Sequence, residues 1–526
     1  MPPADQPDQM RRETKSSVSL LLMCIAVLAP LFATIVSPNS STGDWPMGGA
    51  GPDRRNFNEA EKTLLPPLFV KWSRDVRYEV DCVTAVGDRL FLGLGGDPNK
   101  VVCLDAADGE EIWNYSVEGS GASNDVAPAY LDGRIYFGGQ TAKKLCVLNA
   151  TDGSFIWGMD LAGSMYARPP AVAGGLVYVT GGQTLYVIDP TTRSVKWTAQ
   201  NLAAAPAVSD GVVFAPVWTT GRPIIAFDGN TGAQKWNKTV VIFWYDLPLV
   251  SGETVFIGGR DESGPAIFAL SKTDGTEKWR AHINSSLDLG GFNSGFMAEG
   301  DGVLVAVAYD ASLKATEVYA FDSATGSSLW KFRVAGQTGR SHIFLTPTLA
   351  NGVAYVADYF AGKVYMFQAR SGTLLSEHHE SGWVDTQPVV SNGTVYIVFG
   401  SKLFAFTCVT YDATVSSAEG GIMIDGAPTQ GDWHSKWSKG SNHTLSVSQS
   451  SQGFLIQKVF DHWLVDGTSR AGSTMTITVT GPVQIEAVWR DDYTQLILLA
   501  GGGLVLVVAA VVLLMRRAPR GPPPPP

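Results

Sequence analysis

Ala320-Phe-Asp-Ser-Ala-Thr325-Gly326-Ser-Ser-Leu-Trp330 is the clearest copy of an eleven-residue tail that recurs along the chain. Its pattern is Ala-x-Asp-x-x-Thr-Gly-x-x-x-Trp, and a worn copy around Ser371-Gly372 ends at Ser376 instead of Trp. The tryptophans that end the other copies follow one another at intervals of 44, 40, 39, 43 and 51 residues. A spacing of this length is typical of one four-stranded β-propeller blade.

Each position of the tail has a physical reason. The Asp side chain can accept hydrogen bonds from the next backbone amides, and the glycine allows the positive φ of a tight turn. The Trp then lies on an outer strand, where it can bury a large apolar surface against the adjacent blade. We therefore predict that the tryptophans are structural blade residues: Trp113, Trp157, Trp197, Trp236, Trp279 and Trp330.

Eight repeat units can be counted, and they begin near Val83, Asp125, Tyr166, Ala203, Tyr245, Phe292, Phe344 and Val384. The eighth unit stops after three strands, at Leu403-Phe-Ala-Phe406. A fourth strand is available at the other end of the array, in Pro67-Leu-Phe-Val-Lys-Trp72. The repeats therefore predict an all-β fold with an eight-bladed β-propeller over residues 44–409, closed by the N-terminal strand.

The tail motif resembles the blade signature of the pyrroloquinoline-quinone-type repeat propellers. Asp44-Trp45-Pro46-Met47 also resembles the Trp-Pro opening that members of this family often carry. The resemblance covers roughly residues 44–409 and implies the fold. The family includes quinone-dependent alcohol dehydrogenases and non-catalytic propellers that resemble the outer-membrane assembly lipoprotein, so the fold alone does not decide the function.

The resemblance implies specific features for a quinone enzyme. Dehydrogenases of this fold hold the cofactor between a tryptophan and a disulfide of two adjacent cysteines, and they bind calcium through Glu, Asn and Asp. The five cysteines here are Cys24, Cys82, Cys103, Cys146 and Cys408, none adjacent to another. The sequence also lacks a haem-attachment Cys-x-x-Cys-His and a Gly-x-Ser-x-Gly elbow. We therefore assign no catalytic, cofactor or metal residue, and keep a dehydrogenase using pyrroloquinoline quinone with calcium as the alternative.

Two apolar segments frame the repeats. Residues 17–37 follow the basic N-terminal tail 1–16, and residues 495–515 precede the basic and proline-rich tail 516–526. Each has the length of a membrane-spanning helix, and basic residues favour the cytoplasmic side. We predict both termini inside and residues 44–490 outside. A cleaved secretory signal is the alternative for the first segment.

Sequons support an exported protein. They occur at Asn39, Asn114, Asn149, Asn237, Asn284, Asn392 and Asn442. Asn149 lies inside the tail motif and is interpreted as a turn residue, while the other six are glycosylation candidates. The net charge of −10 argues against a nucleic-acid partner. The sequon-rich exterior with a C-terminal anchor resembles archaeal surface proteins, and we predict a cell-membrane location with the propeller outside.

Residues 411–493 form a different unit. They resemble the internalin-type B-repeat modules, which are small β domains on the stalks of surface proteins, and they predict a β stalk domain. His434, His443 and His462 fall in separate strands or loops, so we interpret them as ordinary histidines without a metal-ligand pattern.

Aromatic residues between strands are the candidate binding surface. Phe243, Trp244, Tyr245 and Asp246 form the densest cluster, and Tyr359 with Phe360 form a second one. Further candidates are Trp218 with Arg222, Tyr166 with Arg168, and Arg340 with His342. Packing between blades is the alternative for each of them. We predict a membrane-anchored binding or scaffold protein at the cell envelope, with a protein or polysaccharide partner.

Overall fold

The computed structural model describes residues 43–77, 80–95, 99–117, 127–138, 143–163, 165, 169–241, 247–283, 287–288, 297–310, 315–333, 345–429, 432–447 and 456–517. Within these ranges the regular structure consists of β-strands and one C-terminal helix, and the all-β propeller fold agrees with the sequence prediction. The predicted segment 17–37 and the tail 518–526 lie outside the described residues.

Two strands, β1 (Phe57–Asn58) and β2 (Phe69–Asp75), precede a series of four-stranded antiparallel sheets that we call blades. The first four are blade 1, β3 (Val80–Val86), β4 (Arg89–Leu94), β5 (Lys100–Asp105) and β6 (Glu111–Ser116); blade 2, β7 (Ala129–Leu131), β8 (Arg134–Gly138), β9 (Lys144–Asn149) and β10 (Phe155–Asp160); blade 3, β11 (Ala171–Ala173), β12 (Leu176–Gly181), β13 (Thr184–Asp189) and β14 (Ser194–Ala199); and blade 4, β15 (Ala207–Ser209), β16 (Val212–Pro216), β17 (Pro223–Asp228) and β18 (Gln234–Thr239).

The next four follow in the same order. They are blade 5, β19 (Leu249–Ser251), β20 (Thr254–Asp261), β21 (Gly264–Ser271) and β22 (Glu277–His282); blade 6, β23 (Leu287–Asp288), β24 (Met297–Gly300), β25 (Val303–Asp310), β26 (Ala315–Asp322) and β27 (Ser328–Arg333); blade 7, β28 (Thr348–Ala350), β29 (Val353–Asp358), β30 (Lys363–Gln368) and β31 (Leu374–His379); and blade 8, β32 (Val389–Ser391), β33 (Thr394–Phe399) and β34 (Lys402–Thr407).

The first full strand of each blade lies beside the corresponding strand of the next blade. The contacts run from β3 through β7, β11, β15, β19, β24 and β28 to β32, and β32 also contacts β3. Radial sheets whose inner strands meet in this way are the arrangement of a β-propeller. A proline directly precedes most inner strands, for example Pro128 before β7 and Pro388 before β32, as the sequence predicts.

The N-terminal strand completes blade 8. β2 pairs antiparallel with β34, from Phe69 opposite Thr407 to Asp75 opposite Lys402. The outer strand of the last blade therefore comes from the start of the chain, which confirms the predicted strand exchange. The shorter β1 pairs parallel with β28 of blade 7.

The tail tryptophans join neighbouring blades. The indole of Trp236 lies over Gly275 of the next blade, and its Nε1 donates to the Lys272 carbonyl at 3.0 Å. Gly275 has φ +72, and a Cβ there would stand 2.6 Å from the Trp236 ring. The same pairing recurs at Trp72–Gly109, Trp113–Gly153, Trp197–Gly232, Trp279–Gly326 and Trp330–Gly372. Each of these indoles therefore packs between two neighbouring blades.

Two blade junctions depart from the pattern. Trp157 packs in an apolar cluster with Val177 and Ile188 of blade 3, whose turn has Arg193, at φ +56, where the other copies have glycine. Blade 7 has Ser376 instead of Trp, and the His378 ring instead packs against Phe406 of blade 8 with ring centroids 4.6 Å apart. Each junction is therefore filled by an aromatic ring, although the residue type differs.

A second β unit follows blade 8 after two residues, Cys408 and Val409. Its strands are β35 (Thr410–Ser417), β36 (Ile422–Ile424), β37 (Ala427–Thr429), β38 (Trp433–Ser438), β39 (Asn442–Val447), β40 (Gln457–Val465), β41 (Thr468–Arg470), β42 (Thr474–Thr478) and β43 (Val483–Asp492). They form two sheets around a shared core that contains Trp437, Leu445, Trp463 and Ile485. We call this unit the stalk.

One helix, α1 (Thr494–Arg517), begins one residue after β43. The Asp492 carboxylate accepts a hydrogen bond from the Thr494 amide at 2.9 Å and caps the helix start. Over Thr494–Leu514 the helix is long and apolar enough to cross a membrane, and no other helix in the described ranges is. The apolar segment predicted at 495–515 therefore does form a helix.

Candidate functional site

The propeller has two different faces. The turns that follow the inner and third strands of each blade lie on one face, which we call the turn face; there the Ala106 amide donates to the Asp88 carbonyl at 2.9 Å. The connections between blades lie on the opposite face, which we call the loop face. Among the predicted binding residues, Trp218, Arg222, Tyr359 and Phe360 belong to the loop face. Tyr166, Arg168, Arg340, His342 and the segment 243–246 lie outside the described residues.

Three aromatic side chains form a cluster on the loop face of blade 7. Tyr359 and Phe360 meet edge to face with centroids 4.7 Å apart, and Trp383 lies 5.5 Å from Tyr359 and 6.0 Å from Phe360. The Trp383 side chain is 50% exposed. The structure therefore brings the predicted pair together with a tryptophan that sequence reasoning missed.

Backbone hydrogen bonds fix the cluster. The Val384 amide donates to the Tyr359 carbonyl at 2.9 Å, and the Gly400 amide donates to the Trp383 carbonyl at 2.7 Å. Gly362 has φ +61, and a Cβ there would stand 2.5 Å from the Glu380 carbonyl oxygen, so only glycine fits this close approach. The aromatic cluster is thus held in place by the ends of β29, β31 and β33.

The other described candidates lie elsewhere on the loop face. The Arg222 guanidinium stands over the Trp218 ring, 4.0 Å from its centroid, in a cation–π contact. Both residues belong to blade 4, and the aromatic cluster belongs to blade 7. The structure therefore does not bring the two groups into one site.

The centre of the ring is occupied by residues 43–61, which we call the axial segment. It forms hydrogen bonds with all eight blades, and apart from the Arg54 side chain, which reaches back to blade 3, the contacts follow chain order. Backbone amides of blades 2 and 4 to 7 donate to carbonyls of the axial segment. The hydrogen-bonded pairs are Trp45–Ala85 (blade 1), Pro46–Tyr130 (blade 2), Arg54–Pro169 (blade 3), Pro52–Val208 (blade 4), Asp53–Val250 (blade 5), Arg55–Glu299 (blade 6), Asn56–Leu349 (blade 7) and Asn58–Val390 (blade 8). Sequence reasoning missed this role.

Polar side chains of the axial segment are buried on the axis. The Arg54 Nε donates to the Pro206 carbonyl at 2.7 Å, and the Glu61 carboxylate accepts from the Gly393 amide at 2.7 Å. Arg55 Nη2 lies 3.4 Å from the Glu299 carboxylate. Asp53 stands beside this pair, deep in the ring although part of its surface stays accessible. Burial raises its pKa to about 6, although Arg55 nearby acts to lower it.

The described histidines, cysteines and acids do not form a metal centre. Within the described ranges no three such side chains come together as a group that could hold a metal ion. Two stalk histidines each have a carboxylate contact, since His443 Nδ1 lies 2.7 Å from Asp425 and His462 Nδ1 lies 2.8 Å from Asp461. Asp425 lies in a turn and Asp461 directly precedes His462 in the sequence. Each of these two histidines therefore contacts one carboxylate.

The sequons differ in their surroundings. Asn114 and Asn237 are exposed on the outer strands of blades 1 and 4, and Asn442 is exposed on the stalk. Asn392 is exposed as well, and its side chain donates to the Asp44 carboxylate at 3.3 Å, which ties the axial segment to blade 8. The Asn149 side chain accepts from the Thr151 amide at 2.8 Å, which confirms its turn role. Asn39 and Asn284 lie outside the described residues.

Solved structures share this fold at low sequence identity. The quinohemoprotein alcohol dehydrogenase ADHIIG from Pseudomonas putida HK5 matches with a TM-score of 0.56 and 13% identity, over 69% of this chain and 80% of that chain. The quinohemoprotein alcohol dehydrogenase from Comamonas testosteroni matches with a TM-score of 0.56 and 13% identity, over 70% of this chain and 81% of that chain. BamB from Moraxella catarrhalis matches with a TM-score of 0.49 and 17% identity, over 65% of this chain and 99% of that chain.

Similarity at this level shows the fold alone. No curated protein sequence matches the chain. A family model described as outer membrane protein assembly factor BamB matches residues 70–140, 99–206, 183–398 and 314–458. Because these matches together extend over more than half of the sequence, the chain belongs to the family described as outer membrane protein assembly factor BamB.

Proposed function

We propose that the protein is a membrane-anchored binding or scaffold protein of the cell envelope, whose loop face recognises a polysaccharide or a partner protein. The observation that carries this proposal is the aromatic cluster of Tyr359, Phe360 and Trp383. An exposed tryptophan that is backed by two half-buried rings on a rigid scaffold suits stacking on sugar rings or insertion into a partner protein. The segment Phe243–Asp246 remains a second candidate surface.

In this proposal the eight blades form one closed ring, and the stalk is a B-repeat-like spacer. Helix α1 supports a C-terminal membrane anchor because its apolar stretch ends at Arg516 and Arg517. A second anchor at 17–37, an exterior location with glycans at Asn114, Asn237 and Asn442, and an archaeal origin are parts of the same proposal. A cleaved signal at 17–37 would leave the loop-face function unchanged.

A dehydrogenase using pyrroloquinoline quinone with calcium is the alternative, since similar folds include quinohemoprotein alcohol dehydrogenases. The axial segment favours binding over this chemistry. It fills the turn-face end of the ring, where the Glu299 carboxylate already faces Arg55. No two cysteines are adjacent in the sequence, so the disulfide that the resemblance implies cannot form. The described residues therefore do not fit the quinone and calcium site that the resemblance implies.

A binding measurement tests the proposal. The full chain in detergent is immobilised and exposed to polysaccharide purified from the envelope of the source organism, and in a second channel to solubilised envelope proteins. Trp383→Ala should abolish most of the binding, and Phe155→Ala is the matched control because Phe155 is 49% exposed on the rim of blade 2.

The proposal fails for this site if both variants bind like the parent chain, or if neither channel shows binding. A loss in the protein channel alone assigns the cluster to a protein partner. Thermal unfolding of both variants is measured alongside, since Trp383→Ala should leave the transition nearly unmoved.

A further inference from the structure

The end of the stalk from which α1 leaves carries the exposed hydrophobic side chains of that unit. Within the part of the stalk that the structure describes, and up to α1, only two large hydrophobic side chains are exposed. They are Ile456, with 43% of its surface accessible, and Tyr493, with 46%. The two are neighbours, because the start of β40 pairs with the end of β43. We call residues 456–459 and 490–493 the stalk base.

The packing of the stalk does not account for this pair. The core is built around residues such as Trp463 and Ile485, and neither Ile456 nor Tyr493 belongs to it. The opposite end of the same sheet is polar, since Lys436 pairs with Asp412 there at 2.8 Å. The exposed hydrophobic side chains of the stalk are therefore confined to one end, where a partner outside the stalk can cover them.

The chain itself brings a bilayer to the stalk base when α1 spans the membrane. Tyr493 is the single residue between β43 and α1, and its carbonyl accepts from the Ile497 amide at 2.9 Å. The apolar run of α1 starts at Leu496, and none of its membrane-length stretch is buried against the rest of the described protein. The edge of the hydrocarbon then lies within about one helical turn, roughly 5 Å, of Tyr493. The polar interface of a bilayer is about 5–7 Å deep on each side, so it surrounds the stalk base.

The charges of the stalk base are balanced within the protein. Lys458 Nζ lies 2.9 Å from the Asp491 carboxylate, and Arg490 Nε lies 3.1 Å from the Asp461 carboxylate. The Asp492 carboxylate caps the start of α1. Because no excess of basic groups is left, the stalk base does not need anionic lipid. Its hydrophobic side chains are the groups that gain free energy from contact with a bilayer.

We propose that the stalk base is seated in the interfacial region of the bilayer, with lipid as the partner of Ile456 and Tyr493. This rests on the C-terminal membrane anchor of the proposed function. Tyrosine suits this depth, because its ring is apolar and its hydroxyl is polar. Ile456 belongs to the chain that enters β40, so it adds a contact beside α1. The stalk is then held at the membrane surface by two separate parts of the chain.

A quenching measurement on the full chain tests the proposal. Ile456→Cys is labelled with an environment-sensitive fluorophore, and the protein is reconstituted in vesicles of phosphatidylcholine. Ser469→Cys is the matched control, because Ser469 is exposed in the hairpin at the other end of β40. Labelling of the unsubstituted chain gives the background of the native thiols. Phosphatidylcholine with a nitroxide near the top of its acyl chain should remove most of the fluorescence at position 456 and little of it at position 469.

No quenching at position 456, or equal quenching at both positions, overturns the proposal. A label at position 456 that is shielded from water but not quenched by lipid assigns Ile456 to a protein contact, which also overturns it. Carbonate extraction of the same vesicles separates the proposal from the anchor. Unquenched protein that resists extraction refutes the seated stalk base alone, and protein that is extracted refutes the anchor as well. Binding by the loop face is measured separately in detergent, so its failure remains distinguishable.

Discussion

At the scale of single residues, the stability of the ring depends on the contact between a tryptophan and the next blade. The Trp236 side chain is buried, lies over Gly275 and donates to the Lys272 carbonyl. We expect Trp236→Ala to lower the free energy of unfolding by about 3–5 kcal/mol, as for other buried aromatic truncations. Urea unfolding measures this, with Ile112→Ala as the exposed control.

Gly275→Ala tests the same contact from the other side. It should destabilise the parent chain, because its Cβ would meet the indole, and it should cost less in the Trp236→Ala background. Equal costs in both backgrounds would show that the two residues do not act as a pair.

The raised pKa of Asp53 predicts that the stability of the protein depends on pH. Its pKa in the folded ring is raised from 3.8 to about 6 by burial, so the folded state binds this proton more tightly than the unfolded chain. The contribution of Asp53 to the free energy of unfolding should fall as the pH rises from 3.8 to about 6. Above about pH 6 the ionised Asp53 destabilises the folded state by its full amount. Asp53→Asn should therefore stabilise the protein at neutral pH by about 1–3 kcal/mol.

Unfolding of both forms below, between and above the two pKa values checks the Asp53 prediction. A parent chain that gains stability as the pH rises through this window, or an Asn variant that keeps the parent's slope, would contradict it.

Residue-scale prediction from the sequence succeeded where a residue belongs to the repeat. The roles of Trp236 and Gly275 could be predicted from the motif, because every blade needs the same turn and the same contact. Trp383 does not, since it stands between blades 7 and 8 in a connection without a repeated pattern. Its partners Tyr359 and Phe360 were identified only as an aromatic pair.

At the scale of elements, β2 is the strand that joins the two ends of the chain. It completes blade 8 by pairing with β34, and Trp72 Nε1 donates to the Ala106 carbonyl of blade 1 at 3.2 Å. We expect deletion of residues 62–76 to lower the melting temperature strongly, although the sequence of β32 to β34 is intact. An unmoved melting transition would show that the ring does not depend on this closure.

The position of the axial segment could not be predicted, because its sequence has no periodicity. β2 could be predicted because it ends in Lys71-Trp72, like the outer strands of the repeats. Residues 43–61 form hydrogen bonds with strands up to several hundred positions away, such as Asn58 with Val390. Such long-range partners leave no local pattern. The buried Arg54 and Asn56 could not be placed from their neighbours in sequence.

At the scale of the whole molecule, the proposed pair of anchors predicts the topology. Residues 44–490 should face outward with both termini inside. Protease added to intact cells should remove the propeller and spare a tag placed after Pro526. Protection of the propeller against protease would show the opposite orientation. The aromatic cluster would then lie on the wrong side of the membrane for an envelope partner.

The repeat spacing made the β-propeller predictable, because the blade motif determines both strand pairing and blade contact. It did not determine the function, since binding propellers and quinone enzymes use the same blades. The central claim is that this chain binds and does not oxidise. Its most direct test is dye-linked oxidation of alcohols and sugars by the full chain, supplemented with pyrroloquinoline quinone and calcium. The account predicts no turnover above the protein-free background, and turnover proportional to the amount of protein would contradict it.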